Sequence, residues 1–307
     1  MIYRIMRPDE WNNVADLIHK SLNVWYLKNR GFELVPGAVD SMLVFPREYE
    51  ALDPGCCVVA EDEKTGRLAG SCFFHVRSTH VSLGILNVHP DFFGQKVASG
   101  LVRYVVDVAE KHQLPLRLVS SAMNLDSFNL YNRNGFVPTI FFQDMIITVP
   151  VKGLSVKLPP GTSIRSATES DVPGMVALEE ELYSINREKD FRFFLKNASG
   201  VWHMSVLVND ATGQIEGFTA SVCDPGSHMI GPGISRTQEQ MAALIAAELS
   251  HYPGQNFVWL IPSECKTLSR AMYDLGAKNC DLHIGQVRGD YVPAKGVVIP
   301  SFMPETS

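Results

Sequence analysis

Hydrophobic and polar positions follow two rhythms along this chain, and both rhythms return halfway. Short runs that alternate apolar and polar residues are typical of half-buried strands, whereas apolar residues three or four apart are typical of amphipathic helices. The chain opens with a strand near residues 2–7 and a helix capped at Asp9. The further elements predicted in the first half are strands at 57–61, 68–76, 81–88, 116–122 and 139–149, and helices at 97–112 and 126–134.

The second half repeats this order. A strand and a capped helix recur at 163–182, and the predicted elements after them are strands at 204–209, 215–223, 229–234, 257–261 and 284–287, and helices at 237–250 and 265–275. The proline- and glycine-bearing segment 149–161 separates the halves and is typical of a linker. We therefore predict an α/β (α+β) chain of two tandem domains, 1–150 and 160–307. Each is expected to be a mixed, mostly antiparallel sheet flanked by helices.

Composition narrows the classes of function. The formal net charge is −6 with no basic stripe, which argues against a nucleic-acid partner. No apolar run approaches the length of a membrane span, and no signal-peptide core opens the chain, so we expect a cytoplasmic protein without a membrane partner. Six cysteines occur without a C-x-x-C pair, and no histidine spacing completes a zinc site, so no metal is expected.

Candidate chemistry concentrates between residues 86 and 136. A strand ends at Val88, and a turn with Gly94 leads into a helix whose start has little side-chain bulk, at Ala98 and Ser99. Main-chain N–H groups at such a helix start, aided by the helix dipole, favour a phosphate group. Further on, the pattern Asn-x-x-Ser-x-x-Leu-Tyr-x-x-x-Gly-Phe spans Asn124 to Phe136.

This order of strand, glycine-bearing turn, helix, strand and short helix resembles the acyl-CoA-binding core of the GNAT superfamily of N-acyltransferases. The resemblance implies transfer of an acyl group, most simply acetyl, from acetyl-CoA or another acyl-CoA to an amine on a small molecule or peptide. It implies Tyr131 as the catalytic residue that protonates the departing thiolate, with no metal. The residues it implies in cofactor binding are Leu86, Asn87, Val88, Phe93, Gly94, Gln95, Lys96, Val97, Ala98, Ser99, Asn124, Ser127 and Tyr131.

Three features depart from the superfamily pattern. Phe93 stands at a position that is usually basic or Gln, and Lys96 stands at the central glycine of the turn. The lysine offers either an added phosphate contact or a Cβ that crowds the diphosphate. The segment 80–88 also lacks the Glu that many relatives use as general base. His75, His80 and His89 are candidates, a water chain is an equal rival, and the base stays unassigned.

The second half is expected to be a degenerate copy that shapes the acceptor site. Glu239 in the first turn of its helix would repel a diphosphate, and Met272 stands where Tyr131 stands in the first half. The alternative to an enzyme is a catalytically silent acyl-CoA sensor or a structural tandem domain. A nucleotide- or flavin-binding fold is disfavoured, since no glycine-rich turn follows the first strand.

Overall fold

A computed structural model describes residues 1–301 of the chain. The first half opens with a strand, crosses the sheet with two helices, and returns through a three-stranded meander to a helix–strand–helix–strand unit. Its elements are β1 (Ile2–Ile5), α1 (Trp11–Arg30), α2 (Val44–Leu52), β2 (Cys57–Glu61), β3 (Leu68–Val76), β4 (Val81–Val88), α3 (Val97–His112), β5 (Leu116–Ser121), α4 (Leu125–Arg133) and β6 (Val137–Thr148).

The second half repeats this order and adds one short strand at its end. Its elements are β7 (Thr162–Ser166), α5 (Val172–Tyr183), α6 (Glu188–Lys196), β8 (Trp202–Asn209), β9 (Ile215–Asp224), β10 (Ser227–Ser235), α7 (Gln238–Leu249), β11 (Asn256–Pro262), α8 (Lys266–Asp274), β12 (Lys278–Arg288) and β13 (Val297–Ile299). Within the described residues, no helix has the length and apolar character needed to cross a bilayer.

All thirteen strands join one continuous sheet, and the halves exchange a strand at its centre. The sheet runs β1-β2-β3-β4-β5-β12-β6-β11-β10-β9-β8-β7, with β13 beside β10. Strand β12 of the second half lies between β5 and β6 of the first, and β6 in turn pairs with β11. The predicted mixed, mostly antiparallel sheet flanked by helices is confirmed, and the exchange makes each half depend on a strand of the other.

Helices cover both faces of this sheet. Alternation along β3 shows the arrangement: Phe73 joins an apolar cluster with α1, α2, α5 and α6, whereas Cys72 and Phe74 join a cluster with α3 and α4. In the second half α7 and α8 build a third cluster. The first cluster draws residues from both halves, so one face of the sheet is a shared core.

Polar contacts also tie the halves together. The guanidinium of Arg77, in the turn after β3, donates to Asp190 on α6 at 2.7 Å, and both side chains are buried. The indole N–H of Trp202 on β8 donates to Glu48 on α2 at 2.8 Å. Buried charges need such partners, so these contacts hold α6 against the first half and α2 against the second.

Three elements went unpredicted and one was predicted too short. Helices α2 and α6 and strand β13 lie in stretches where the apolar period is short or irregular, and the closing strand β12 spans 278–288 rather than 284–287. The cap of α1 is Glu10 rather than Asp9, because a 3-10 turn at Pro8–Glu10 precedes the helix.

Candidate active site

Strands β4 and β5 are paired over only a short stretch and then separate. They pair in parallel only at Val81 with Leu116 and at Ser82 with Arg117. On its other side β4 stays paired with β3 as far as Val88, through a bulge between Leu83 and Leu86. No other strand of residues 1–301 pairs with this part of β4 on the side facing β5. We call this gap between β4 and β5 beyond Ser82 the first opening.

The turn after β4 places main-chain N–H donors at the entrance to the first opening. Gly94 takes a left-handed φ of 76°, and a Cβ added there would meet open space. Helix α3 has no side-chain cap, and its Gly100 N–H bonds the Lys96 carbonyl at 3.2 Å. The N–H groups of the three residues before Gly100 therefore have no carbonyl one turn back to bond. These residues are Val97, Ala98 and Ser99.

Lys96, the cap of α3, is held in a left-handed conformation with φ 62°. This conformation favours glycine, which explains why a glycine is expected there, and a lysine adopts it at a cost of about 1–2 kcal/mol. Its exposed positive side chain also lies beside the positive end of the helix dipole. A bound anion would offset the unfavourable proximity of the lysine charge to the positive end of the helix dipole. The neighbouring Phe93 and Gln95 are exposed, and the Gln95 amide donates to the Asp91 carbonyl at 3.1 Å.

Helix α4 places Tyr131 on the same face of the sheet as α3. The helix is capped by Asn124, whose side-chain oxygen accepts the Ser127 N–H at 3.1 Å, and it ends before Gly135 at a φ of 86°. Tyr131 is 7% exposed, packs edge-on against Phe136 at 5.7 Å between ring centroids, and belongs to the cluster that Leu86 packs against. The ring of Tyr131 is therefore fixed in the apolar cluster on the α3 side of the sheet.

The three histidines considered as bases have other surroundings. His75 is buried with its Nδ1 2.7 Å from the Asp53 carboxylate, and burial lowers its pKa. His80 precedes β4 at the end where β4 and β5 are still paired, and burial holds its pKa well below the ordinary value. His89 caps the 3-10 turn after β4 by accepting the Asp91 N–H at 3.2 Å.

The exchanged strand brings a histidine that sequence reasoning missed. His283 on β12 pairs with Ser121 at the end of β5, and its Nδ1 lies 2.9 Å from Oδ1 of Asp144 on β6. Both side chains are buried, and desolvation raises the pKa of Asp144. His283 also lies opposite Phe142, a member of the cluster with α1, so it projects from the face opposite Tyr131. The partners are 139 residues apart, and no local motif announces the pair.

A second opening exists in the second half, and the chain itself fills it. Strands β10 and β11 pair only at Met229 with Val258. Beyond that point β13 pairs with β10 from Gly233 to Ser235 and also contacts β11. A Cβ added at Gly231 would come within 2.4 Å of the Pro300 carbonyl, so this packing is close.

The second-half counterparts of the α3 helix start and of Tyr131 also differ from those of the first half. Thr237 caps α7 by accepting the Gln240 N–H, and the Gln240 side chain accepts the Thr237 N–H in return. Met272 accepts a hydrogen bond from Ala277 N–H as Tyr131 does from Phe136 N–H, which confirms the alignment of the two positions. Met272 is fully buried and has no acidic hydrogen.

Comparison with known proteins agrees with this architecture. The sequence model of the acetyltransferase (GNAT) family matches residues 23–136. A candidate acetyltransferase from Pyrococcus horikoshii superposes with a TM-score of 0.74 at 12% identity, over 98% of this chain and 95% of its own. A GCN5-related N-acetyltransferase from Sphaerobacter thermophilus gives 0.66 at 17% identity, over 96% and 98%.

A tandem GNAT protein from the clavulanic acid biosynthesis pathway gives a TM-score of 0.61 at 14% identity, over 95% of this chain and 99% of its own. No curated protein sequence matches the chain. At these identities the structural matches establish the fold, and the family model matches most of the first half. The chain is therefore a protein of the tandem GNAT fold, and its residues 23–136 match the sequence model of the acetyltransferase (GNAT) family.

Proposed function

We propose that this protein is an N-acyltransferase that moves an acyl group, most simply acetyl, from acyl-CoA to an amine. One observation carries the proposal: the first opening lies directly behind a helix start with uncapped N–H groups, and a tyrosine lies on the same face. A diphosphate, a pantetheine arm and a thioester each find a complementary group there.

The cofactor is proposed to lie along the first opening. Its diphosphate accepts hydrogen bonds from the turn Phe93–Ser99, with Lys96 adding positive charge. Its pantetheine amides pair with the free edge of Leu86–Val88, as in the superfamily, and Asn124 and Ser127 approach the arm from the start of α4. The Asn124 carbonyl oxygen already serves the helix cap, so its amide N–H₂ is the group left for a ligand.

Acyl transfer is proposed to be direct. The amine nitrogen attacks the thioester carbonyl carbon, and main-chain N–H groups at the end of β4 stabilise the oxyanion. The C–N bond forms, the C–S bond breaks, and the departing thiolate takes the phenolic proton of Tyr131. The products are the amide and free CoA.

The proton lost by the amine is proposed to pass to His283, which Asp144 orients through Nδ1. His283 lies one strand, about 5 Å, from the edge of the first opening and on the face covered by α1. Acid and base would then reach the thioester from opposite faces of the sheet. The amine, from a small molecule or a peptide, would enter on the α1 side, where the second half contributes β12.

The proposal is tested by CoA calorimetry together with an acetyl-transfer assay on a panel of amines. Wild type is expected to bind one CoA per chain and to acetylate at least one amine. Ala98→Glu puts a carboxylate at the α3 position that Glu239 holds in α7, and is expected to weaken CoA binding at least about tenfold. A carboxylate in the first turn favours the helix itself, so the fold is retained.

The matched control is Glu239→Ala in the second half, which is expected to leave both affinity and stoichiometry unchanged. Full CoA affinity in Ala98→Glu, or no CoA binding by wild type, would sink the proposal. Tight binding without transfer to any amine would favour an acyl-CoA sensor instead. The strained Lys96 is the observation that keeps this second candidate in view.

A further inference from the structure

Two histidines and a glutamate meet at the C-terminal end of α7. His203 on β8, Glu248 in the last turn of α7 and His251 just beyond it form what we call the α7 triad. One ligand atom from each lies within 4.8 Å of the others. The helix is twelve residues long, so the triad is about 18 Å from the start of α7.

The carboxylate of the triad is fixed in place before any ligand arrives. Glu248 is fully buried, and its two oxygens accept hydrogen bonds of 2.5 Å from Ser221 and from Ser205. Hydroxyl groups of this kind orient metal-binding carboxylates from outside the ligand set. A buried carboxylate also requires a positive partner, and among the described residues its contact of that kind is His203.

His203 is held from both sides. Its Nδ1 lies 2.8 Å from Oε1 of Glu248, and its Nε2 lies 3.0 Å from the Ser166 hydroxyl. If Nε2 of His203 donates its hydrogen to the serine hydroxyl, a proton on Nδ1 lies between the ring and the Glu248 carboxylate. A small divalent cation can take the place of that proton, with little movement of either side chain.

His251 completes a third side and opens the site to solvent. Its ring is exposed, and its centroid lies 4.1 Å from that of His203. Two imidazoles and one carboxylate around a solvent-accessible point are the donor set of zinc sites that keep water as the fourth ligand. Magnesium and calcium prefer oxygen ligands, so this set selects against them.

We propose that the α7 triad binds a zinc-class divalent cation through Nδ1 of His203, the carboxylate of Glu248 and a ring nitrogen of His251. The metal links β8 to the end of α7 and stabilises the second half. It is independent of the acyl-CoA site. The sequence gives no zinc spacing here, because His203 and Glu248 come from different elements 45 residues apart.

The test uses the full chain, freed of metal with a chelator and titrated with ZnCl₂ by calorimetry, with MgCl₂ and CaCl₂ in parallel. One zinc per chain is expected, a rise in Tm with zinc, and no heat with magnesium or calcium. His251→Ala removes an exposed side chain, so the fold is kept, and it is expected to weaken zinc binding at least about tenfold and to abolish the rise in Tm.

His112→Ala is the matched control, because His112 is the exposed histidine at the end of the corresponding helix α3. It is expected to bind zinc as wild type does. Absence of zinc binding at tens of micromolar, or equal binding by magnesium, would overturn the proposal. Unchanged zinc binding in His251→Ala would also overturn it, since the metal would then lie on other ligands. None of these readouts depends on acyl transfer.

Discussion

The two openings in the sheet share a geometry and differ in their contents. In both, a parallel pair of strands is joined for only one or two residues before it divides. Among residues 1–301 no strand fills the first opening, whereas β13 and Pro300 occupy the second. The comparison shows that the repeated fold creates a gap between two strands in each half. A segment elsewhere in the chain determines whether that gap stays open.

The helices behind the openings differ in the same direction. Helix α7 satisfies its own first N–H groups through the reciprocal cap of Thr237 and Gln240, and α3 has no side-chain cap at Lys96. A capped start competes with an anion for the same donors. The second half, for which we propose no cofactor, is thus expected to be the better-stabilised one at this point.

The largest expected effect concerns the phenol of the first opening. Tyr131→Phe is expected to lower the acyl-transfer rate by about 10²–10⁴, because the thiolate then leaves without a positioned acid. CoA affinity should change little, since the ring still packs on Phe136. The measurement is CoA release with a thiol reagent under saturating substrates.

Tyr273→Phe is the control for this variant, because Tyr273 follows Met272 on α8, is exposed and bonds Asn279 at 2.6 Å. It should keep full activity. A Tyr131→Phe protein as active as this control would remove the tyrosine from the mechanism.

The next effect concerns the strand that fills the second opening. Ile299→Ala is expected to lower the free energy of unfolding by about 2–5 kcal/mol, because the side chain is 1% exposed and its removal leaves a cavity. Val292→Ala, at a 45% exposed position, should cost far less. Urea denaturation measures both.

The same variant sharpens the comparison through its CoA stoichiometry. Ile299→Ala should still bind one CoA per chain, because α7 remains capped and Glu239 remains in its first turn. A second CoA per chain would mean that β13 alone keeps the second opening from acting as a site.

A smaller effect is expected at the two helix starts. Thr237→Ala removes the cap of α7 and should cost about 1 kcal/mol of stability. Lys96→Ala at the equivalent position of α3 should change stability by less than about 0.5 kcal/mol, because no side-chain cap bond is lost. Equal losses in the two variants would contradict the contrast drawn between these helices.

The smallest effect tests a feature that the halves share. Arg4 binds Glu10 through two nitrogens, and Arg165 binds Asp171 in the same way at the corresponding place in the second half. The hydrogen bonds from Arg165 lower the pKa of Asp171 to about 2, below that of an unfolded chain near 3.9. The stability this pair contributes is therefore present above pH 4 and is lost as the pH falls through 2.

Asp171→Asn should therefore lose less of its urea midpoint between pH 4 and pH 2 than wild type does. Asp210→Asn, on an exposed turn, should follow the wild-type curve. A wild-type slope in Asp171→Asn would show that this carboxylate contributes nothing to acid sensitivity.

Much of the fold could be read from the sequence because its local signals are strong. The period of residues 97–112 and 237–250 and the glycine stop at Gly135 each placed an element within a residue or two. The exchange of β6 and β12 could not be read, since both strands have the same alternation wherever they pair. Helix α6 has aromatic residues on a short segment, which local period does not resolve from a strand.

The residues of the candidate site also differ in whether the sequence alone could identify them. Gly94, Asn124 and Tyr131 lie within one continuous segment, so sequence alone could single them out, and their roles in binding and catalysis stay predictions. His283 with Asp144, and His203 with Glu248, are joined only by tertiary structure, so spacing along the chain cannot reveal them. Gly100 shows the reverse: its small size is explained by packing, since a Cβ there would come within 2.0 Å of the Tyr3 hydroxyl.

The strand exchange also determines how the chain tolerates being cut. A break in the predicted linker at 149–161 would leave one fragment with β6 but without β12, and the other with β12 but without β6. Each fragment would then present bare backbone donors and acceptors at the centre of its sheet, which invite pairing with any strand available. The fragments complement each other, so the natural partner of each is the other. The two halves of this single polypeptide are therefore joined in the way that two strand-exchanged subunits of a dimer are joined.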